Sequence, residues 1–282
     1  MPELPEVETV ARGLRARLTG RRIEALELLR ASVFEGEAPD QLRGGVVTAV
    51  LRAGKYLVLE VASPGNRQAP RAERGPLQLL FHLGMTGRLV LYPAGHLPER
   101  HTHAVLTLAA GGEQVEFRDP RRFGRIALAL APAQGGLAPA LGVAAGAEPL
   151  EIDPESFVAL FRGRHAPIKS ALLNQSLLRG LGNIYADESL HRAGIDPRAR
   201  ALSRPRLLRL RRAIRAVLRQ AIAAGGSSIS DYRDSAGQPG WFHLQHRVYG
   251  RTGAPCPRCR RPIRRLVLAG RSAHFCAACQ SR

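Results

Sequence analysis

The chain's four cysteines all fall in its last 27 residues, as Cys256-x2-Cys259 and, 16 residues on, Cys276-x2-Cys279. Two such pairs on a β-hairpin can close a tetrahedral four-thiolate zinc site, and in a reducing compartment paired cysteines favour metal over disulfide. A segment too small for a core of its own would fold around one structural Zn2+. Arg258, Arg260, Arg261, Arg264, Arg265 and Arg271 surround it, so the hairpin either contacts phosphate or is a structural ribbon with incidental charge. At the other end the chain reads Met1-Pro2-Glu3-Leu4-Pro5-Glu6. Removal of methionine before a small residue would expose a secondary amine at Pro2. An α-amino group is about 10 to 20% neutral at pH 7, against roughly 0.04% for an ordinary lysine, so Pro2 is a candidate nucleophile. Glu3 and Glu6 would supply carboxyls for acid or base work, or would serve equally as ordinary helix-start charges.

Two glycine-flanked turns come next. His82-Leu-Gly-Met-Thr-Gly87 carries Met85, one of only two methionines, and Asp119-Pro-Arg-Arg-Phe-Gly124 carries Arg121 and Phe123. An apolar or aromatic tip beside arginine can unstack a base pair and fill the vacancy, although either turn alone would also suit ordinary packing. Gly180-Leu-Gly182-Asn183-Ile-Tyr185 opens a helix whose first amides, with the Asn183 side chain, could grip a phosphate; a plain helix junction is the alternative. Among 42 basic side chains only Lys55 and Lys169 are lysines. Where charge alone is needed arginine serves as well, so each surviving lysine invites a specific reason.

The elements that must position these residues follow from pattern. With 282 residues and 45% apolar side chains, two domains with cores are expected rather than disorder. Val7, Val10, Ala11, Leu14 and Leu18 recur at helical spacing over 7–18. Short alternating runs at 46–51, 56–61, 77–82, 88–92, 104–109, 114–118 and 124–130 predict seven strands in a sandwich or barrel. The Ala-, Gly- and Pro-rich stretch from 131 reads as a linker. Helices are expected from Pro154 to about Gly163, over 168–178, over 184–193 and over 203–224, and a mobile glycine-rich loop over 225–243. A formal charge of +19 points to a polyanionic partner, nucleic acid ahead of membrane. No run of 18 apolar residues is present and the N-terminus lacks a secretory pattern, so a cytosolic location is expected.

Taken together, these segments resemble the formamidopyrimidine-DNA glycosylase family over nearly the whole chain. The likeness rests on Pro2 to Glu6, Lys55 within Gly54-Lys55-Tyr56-Leu57, the Met85 turn, His101-Thr-His103, Asp119 to Gly124, Gly182-Asn183-Ile-Tyr185 and the four-cysteine hairpin, all in family order. It implies an α+β multidomain protein. Residues 1–131 would form a catalytic N-terminal helix and β-sandwich, 132–149 a linker, 150–246 a helical domain with a helix-two-turn-helix and lesion loop, and 247–282 the zinc finger, with DNA in the cleft between domains. The implied enzyme is a bifunctional glycosylase and lyase acting on 8-oxoguanine and formamidopyrimidines in duplex DNA, a monomer of the bacterial cytoplasm associated with the nucleoid.

In that resemblance Pro2 attacks the sugar, Glu3 assists ring opening with Glu6 in support, Lys55 contacts phosphate and assists β,δ-elimination, and Arg271 grips the flanking phosphates. Met85, Arg121 and Phe123 enter the helix. His82, His101, Arg164, Lys169, Asn183 and Tyr185 are expected to make wider DNA contacts. The loop at 64–76 is longer and richer in arginine than the family's, and family lysines are mostly arginine here. The related endonuclease VIII type, which prefers oxidised pyrimidines, usually has glycine after the first glutamate, where this chain has Leu4. A catalytically silent binder of damaged DNA is the alternative outside enzymes, and the presence of Pro2, Glu3 and Lys55 together argues against it.

Overall fold

The computed structural model describes residues 1–62, 75–132, 136–228 and 232–282. All of the arginine-bearing 64–76 loop but its last two residues, part of the linker stretch and residues 229–231 of the glycine-rich loop lie outside the described residues. The chain divides into two compact units that are discontinuous in sequence. One comprises Met1–Pro2, Glu6–Val143 and Ser227–Gly240, and the other Glu3–Pro5, Ala144–Gly226 and Trp241–Arg282. The segment from Ser227, grouped with the helical region by the sequence reading, thus clusters with the first unit.

In the first unit, helix α1 (Leu4–Leu18) turns Val7, Val10, Ala11, Leu14 and Leu18 into one core shared with two sheets. One sheet runs in the order β1 (Ile23–Leu28), β7 (Thr102–Leu108), β8 (Gln114–Arg118), β6 (Arg88–Tyr92), all antiparallel. The other runs β2 (Phe34–Gly36), β9 (Arg125–Leu130), β5 (Leu77–His82), β4 (Tyr56–Ala62), β3 (Val46–Ala53), with only β2–β9 parallel. Strand alternation does the sorting. Leu57, Leu59 and Val61 and, across the ladder, Leu77, Leu79 and Phe81 enter the shared core, each worth about 1.5–3 kcal/mol when fully buried. Val58, Leu80 and Ala129 face the opposite way, where Ala138 and Leu141 cover them. Part of the stretch read as a linker is therefore packed chain. The buried Gln78 fixes it by donating to the Gly136 carbonyl and accepting from the Ala138 amide.

Strands β1 and β2 were not expected. In β1 a bulge between Ile23 and Ala25 breaks the two-residue alternation on which the sequence reading relied.

The second unit packs α2 (Pro154–Phe161), α3 (Ile168–Leu173), α4 (Asn183–Ala193) and α5 (Arg204–Ala223) around one core that includes Leu4. The Asp153 side chain caps α2 by accepting from the Glu155 and Ser156 amides. Helix α3 ends at Leu173 rather than 178: Asn174 is extended and its side chain accepts from the Ser176 amide, a local turn that competes with helix. A hairpin of β10 (Arg264–Leu268) and β11 (Arg271–Phe275) completes the unit, with Val248, Cys256, Ile263 and Cys276 as a small cluster.

Candidate functional site

The cysteine hairpin is built as its spacing predicts. The four Sγ atoms lie within 4.8 Å of one another, with Cys259–Cys276 at 3.4 Å and Cys256–Cys279 at 3.9 Å. Zinc–sulfur bonds of about 2.3 Å in a tetrahedron put sulfurs about 3.8 Å apart, so the donor set fits Zn2+ held by Cys256, Cys259, Cys276 and Cys279. The metal would supply folding energy at a site where both knuckles meet. Cys256→Ser should release zinc to a chelating dye at least tenfold faster than wild type; unchanged release would show that three thiolates suffice.

At the N-terminus Pro2 and Glu3 are buried. The Glu3 carboxylate accepts from the amides of Gly182 at 2.8 Å, Ile184 at 3.0 Å and Tyr185 at 3.4 Å, so it occupies the positive end of α4. A Cβ on Gly182 would lie 2.3 Å from Glu3 Cδ, so this approach requires glycine. Three of the amides expected to grip phosphate are therefore committed to Glu3, which corrects the sequence reading of that helix start. Leu4 donates its amide to the Gly180 carbonyl and fixes the same segment.

Glu6, on α1, is buried and accepts from the Ser227 amide at 2.7 Å, while the Tyr232 hydroxyl donates to the Glu6 carbonyl at 3.2 Å. Burial, then the Glu6 charge, pushes the Tyr232 phenol well above its ordinary range, so it stays a donor. The described part of the glycine-rich loop is further tied down. Ser228 Oγ donates to the Tyr232 carbonyl and accepts from the Gly240 amide, and Asp234 accepts from the amides of Ala236 and Gln238. Glu6 thus holds the root of the loop read as lesion-sensing.

Lys55 sits in the β3–β4 turn and is 9% exposed. One residue on, Tyr56 pairs with His82 across the sheet, their ring centroids 4.9 Å apart. Burial, then the charges of Lys55 and Arg125, lowers the His82 pKa, so its ring is neutral at pH 7. Met85 is 39% and Phe123 53% exposed, and the Arg121 guanidinium lies 4.9 Å from the Phe123 ring centroid. Both expected apolar tips are thus exposed, and the Phe123 ring lies close to a cation. His101 is exposed and has φ +72°, while His103 is buried. Arg164 is exposed just beyond α2, its Nε donating to the Leu160 carbonyl.

Lys169 and Tyr185 depart from their expected roles. Lys169 is 1% exposed; its Nζ donates to Asp187 Oδ1 at 2.6 Å and to the Ser272 carbonyl at 2.5 Å. Burial lowers its pKa while the Asp187 carboxylate pulls it back up. Two of the three N–H donors on Nζ are thus taken up within the protein. Tyr185 is wholly buried against Phe242. Asn183 donates from Nδ2 to Ser272 Oγ at 3.2 Å.

Sequence reasoning missed the groups that join α4 to the hairpin. Asp187 accepts from both the backbone amide and Nδ1 of His274. Glu188 accepts from the amides of Arg247, Val248 and Tyr249, and burial raises its pKa against their pull. His191 places Nε2 3.5 Å from Cys256 Sγ. The available signal was Asp187-Glu188 inside a stretch whose neighbours are otherwise small or apolar, because buried charges there need partners.

Three family models match the chain in order: the formamidopyrimidine-DNA glycosylase N-terminal domain over residues 1–126, its H2TH domain over 143–233, and the zinc finger found in FPG and IleRS over 253–282. The chain is 46% identical to a formamidopyrimidine-DNA glycosylase of Solibacter usitatus, covering all of both chains, and 43% identical to that of Paracoccus denitrificans, covering 99% of this chain and 100% of the relative. Among solved structures it resembles MutM (Fpg) of Thermus thermophilus, with TM-score 0.82, 38% identity and 99% and 98% coverage. It also resembles a Lactococcus lactis Fpg variant complexed with Fapy-dG-containing DNA, with TM-score 0.86, 34% identity and full coverage of both chains.

Proposed function

The chain belongs to the formamidopyrimidine-DNA glycosylase family, and we propose that it excises 8-oxoguanine and formamidopyrimidines from duplex DNA, then cuts the strand by β,δ-elimination through a covalent bond to Pro2. The geometric observation that carries this reading is the seat of Glu3. Three amides at the head of α4 immobilise its carboxyl directly beside the proposed nucleophile in the chain.

In the reaction the Pro2 nitrogen bonds to C1′ as the C1′–N9 bond breaks, and the base leaves with that electron pair and takes up a proton. Glu3 assists opening of the sugar ring, leaving an iminium between Pro2 and C1′. The positive iminium acidifies C2′–H; loss of that proton expels the 3′ phosphate, and a second elimination expels the 5′ phosphate. Lys55 assists at phosphate, and Arg271 on the hairpin grips the flanking backbone. Met85, Arg121 and Phe123 enter the duplex, with His82, His101, Arg164 and Asn183 in the wider contact set. One Zn2+ on the four cysteines holds the hairpin in shape. Among the described residues no helix is long and apolar enough to cross a membrane; the proposed setting is the bacterial cytoplasm on nucleoid DNA, with the protein as a monomer.

The test sets an 8-oxoguanine:cytosine duplex beside a thymine-glycol duplex. Cleavage of the first at least about tenfold faster, with phosphate on both new ends, is the expected outcome. The reverse preference would assign the chain to the oxidised-pyrimidine branch, and binding without cleavage of either would leave a silent damage binder.

A further inference from the structure

The two exposed tips, Met85 and Phe123, belong to different turns, 38 residues apart in the chain, yet one buried carboxylate holds both. Asp119 is 0% exposed. Its Oδ1 accepts from Thr86 Oγ1, in the Met85 turn, at 2.5 Å and from the Arg121 amide at 3.3 Å, and its Oδ2 accepts from the Gly124 amide at 2.7 Å. The Thr86 hydroxyl also accepts from the Arg121 amide at 3.3 Å, which closes a ring of bonds between the turns. Behind this ring, His103 Nε2 donates to the Asp119 carbonyl at 2.8 Å, and the Asp119 amide donates to the His101 carbonyl at 3.0 Å. The backbones touch as well. Gly84 has φ +58°, and a Cβ there would lie 2.5 Å from the Gly124 nitrogen, so the Met85 turn rests directly on the Phe123–Gly124 peptide.

A carboxylate removed from water costs several kcal/mol unless its oxygens are well satisfied. Here every donor comes from one of the two turns, so that satisfaction depends on their staying together. We propose that Asp119 is a positioning residue for base extrusion: it locks the Met85 and Arg121/Phe123 turns into one rigid two-tipped wedge, so that opening a base pair need not first order two separate loops. The inference rests on the reading of these tips as DNA-intruding.

Extrusion has its own signature, because an abasic site has no base to unstack or unpair. In Asp119→Asn the amide nitrogen can only donate, so it opposes either the Gly124 amide or the Arg121 amide and, on the latter side, forces the Thr86 hydroxyl from donor to acceptor; either way an acceptor is lost and the clamp weakens. Excision of 8-oxoguanine paired with cytosine should fall at least about tenfold, while strand cutting at a preformed abasic site should stay within about threefold of wild type. A fluorescent base analogue beside the lesion should brighten correspondingly more slowly on mixing.

Thr86→Val removes only the cross-turn hydroxyl and should shift the same ratio in the same direction by a few fold, whereas Thr86→Ser should restore it. Thr86→Val therefore decides the matter if Asp119→Asn does not fold. Equal losses on both substrates in a folded variant, or a wild-type ratio in Thr86→Val, would overturn the inference. Failure of wild-type protein to cut either substrate would instead overturn the proposed function.

Discussion

Borohydride quenching of the zinc-loaded protein with an 8-oxoguanine:cytosine duplex is expected to leave a covalent protein–DNA adduct, and Pro2→Gly is expected to lose at least about 100-fold of it. Hydride adds to C1′ of the iminium and converts a reversible bond into a stable amine. A secondary amine such as that of Pro2 gives an iminium with a fixed positive charge, whereas the imine of a primary amine is charged only while protonated. Glycine at position 2 keeps an α-amine but changes both the charge state of the intermediate and the geometry. Its backbone is freer than proline's ring-locked φ, so the attacking nitrogen loses orientation that Glu3's three amide bonds otherwise confer on the neighbouring residue. Mass analysis should show Met1 absent from the trapped species. Equal adduct from Pro2→Gly would show that proline's ring is not needed, and adduct mapped by mass analysis away from residue 2 would move the nucleophile to another amine, with Lys55 the first to test. No adduct at all would remove the lyase chemistry.

Residues whose function follows from local spacing were legible in the sequence. Cysteine pairs two residues apart form zinc knuckles with little help from the rest of the fold, and the four sulfurs converge accordingly. The limits of β5, β6 and β8 agree with the alternating runs because each strand has one face in the shared core. Legibility failed where a residue's role depends on a partner far along the chain. Glu3 meets amides some 180 residues away, and Glu6 meets Ser227, so helix capping by charge was the natural local reading of both. The same holds for Asp119: the sequence marks it only as the first residue of the Phe123 turn, and its tie to Thr86, 33 residues away, is visible only in the fold. The amides at the helix start near Gly182 do hold an anion, but it is the chain's own Glu3 carboxylate and not the phosphate expected from sequence.

Lys169 is the sharpest case of that kind, and replacing it with methionine should cost about 3–5 kcal/mol of stability, because the change leaves Asp187 buried with its charge uncompensated. The ammonium sits as a compact charge between Asp187 on α4 and the Ser272 carbonyl of β11, next to Arg271. A planar guanidinium is larger and carries its donors in a fork rather than at one point, which explains why a chain otherwise supplied with arginine keeps lysine here. Lys169→Arg should therefore also destabilise, although its charge is unchanged. Thermal unfolding of the zinc-loaded protein reads both effects, and DNA binding separates the two possible roles. If Lys169 is a strut that holds the hairpin, the stable remainder of Lys169→Met protein should keep the wild-type dependence of affinity on salt, since no phosphate contact of its own is lost. If instead it touches phosphate, the variant should be as stable as wild type and the log–log salt slope should fall by about one. That second outcome would restore the direct DNA contact expected from sequence and remove the strut.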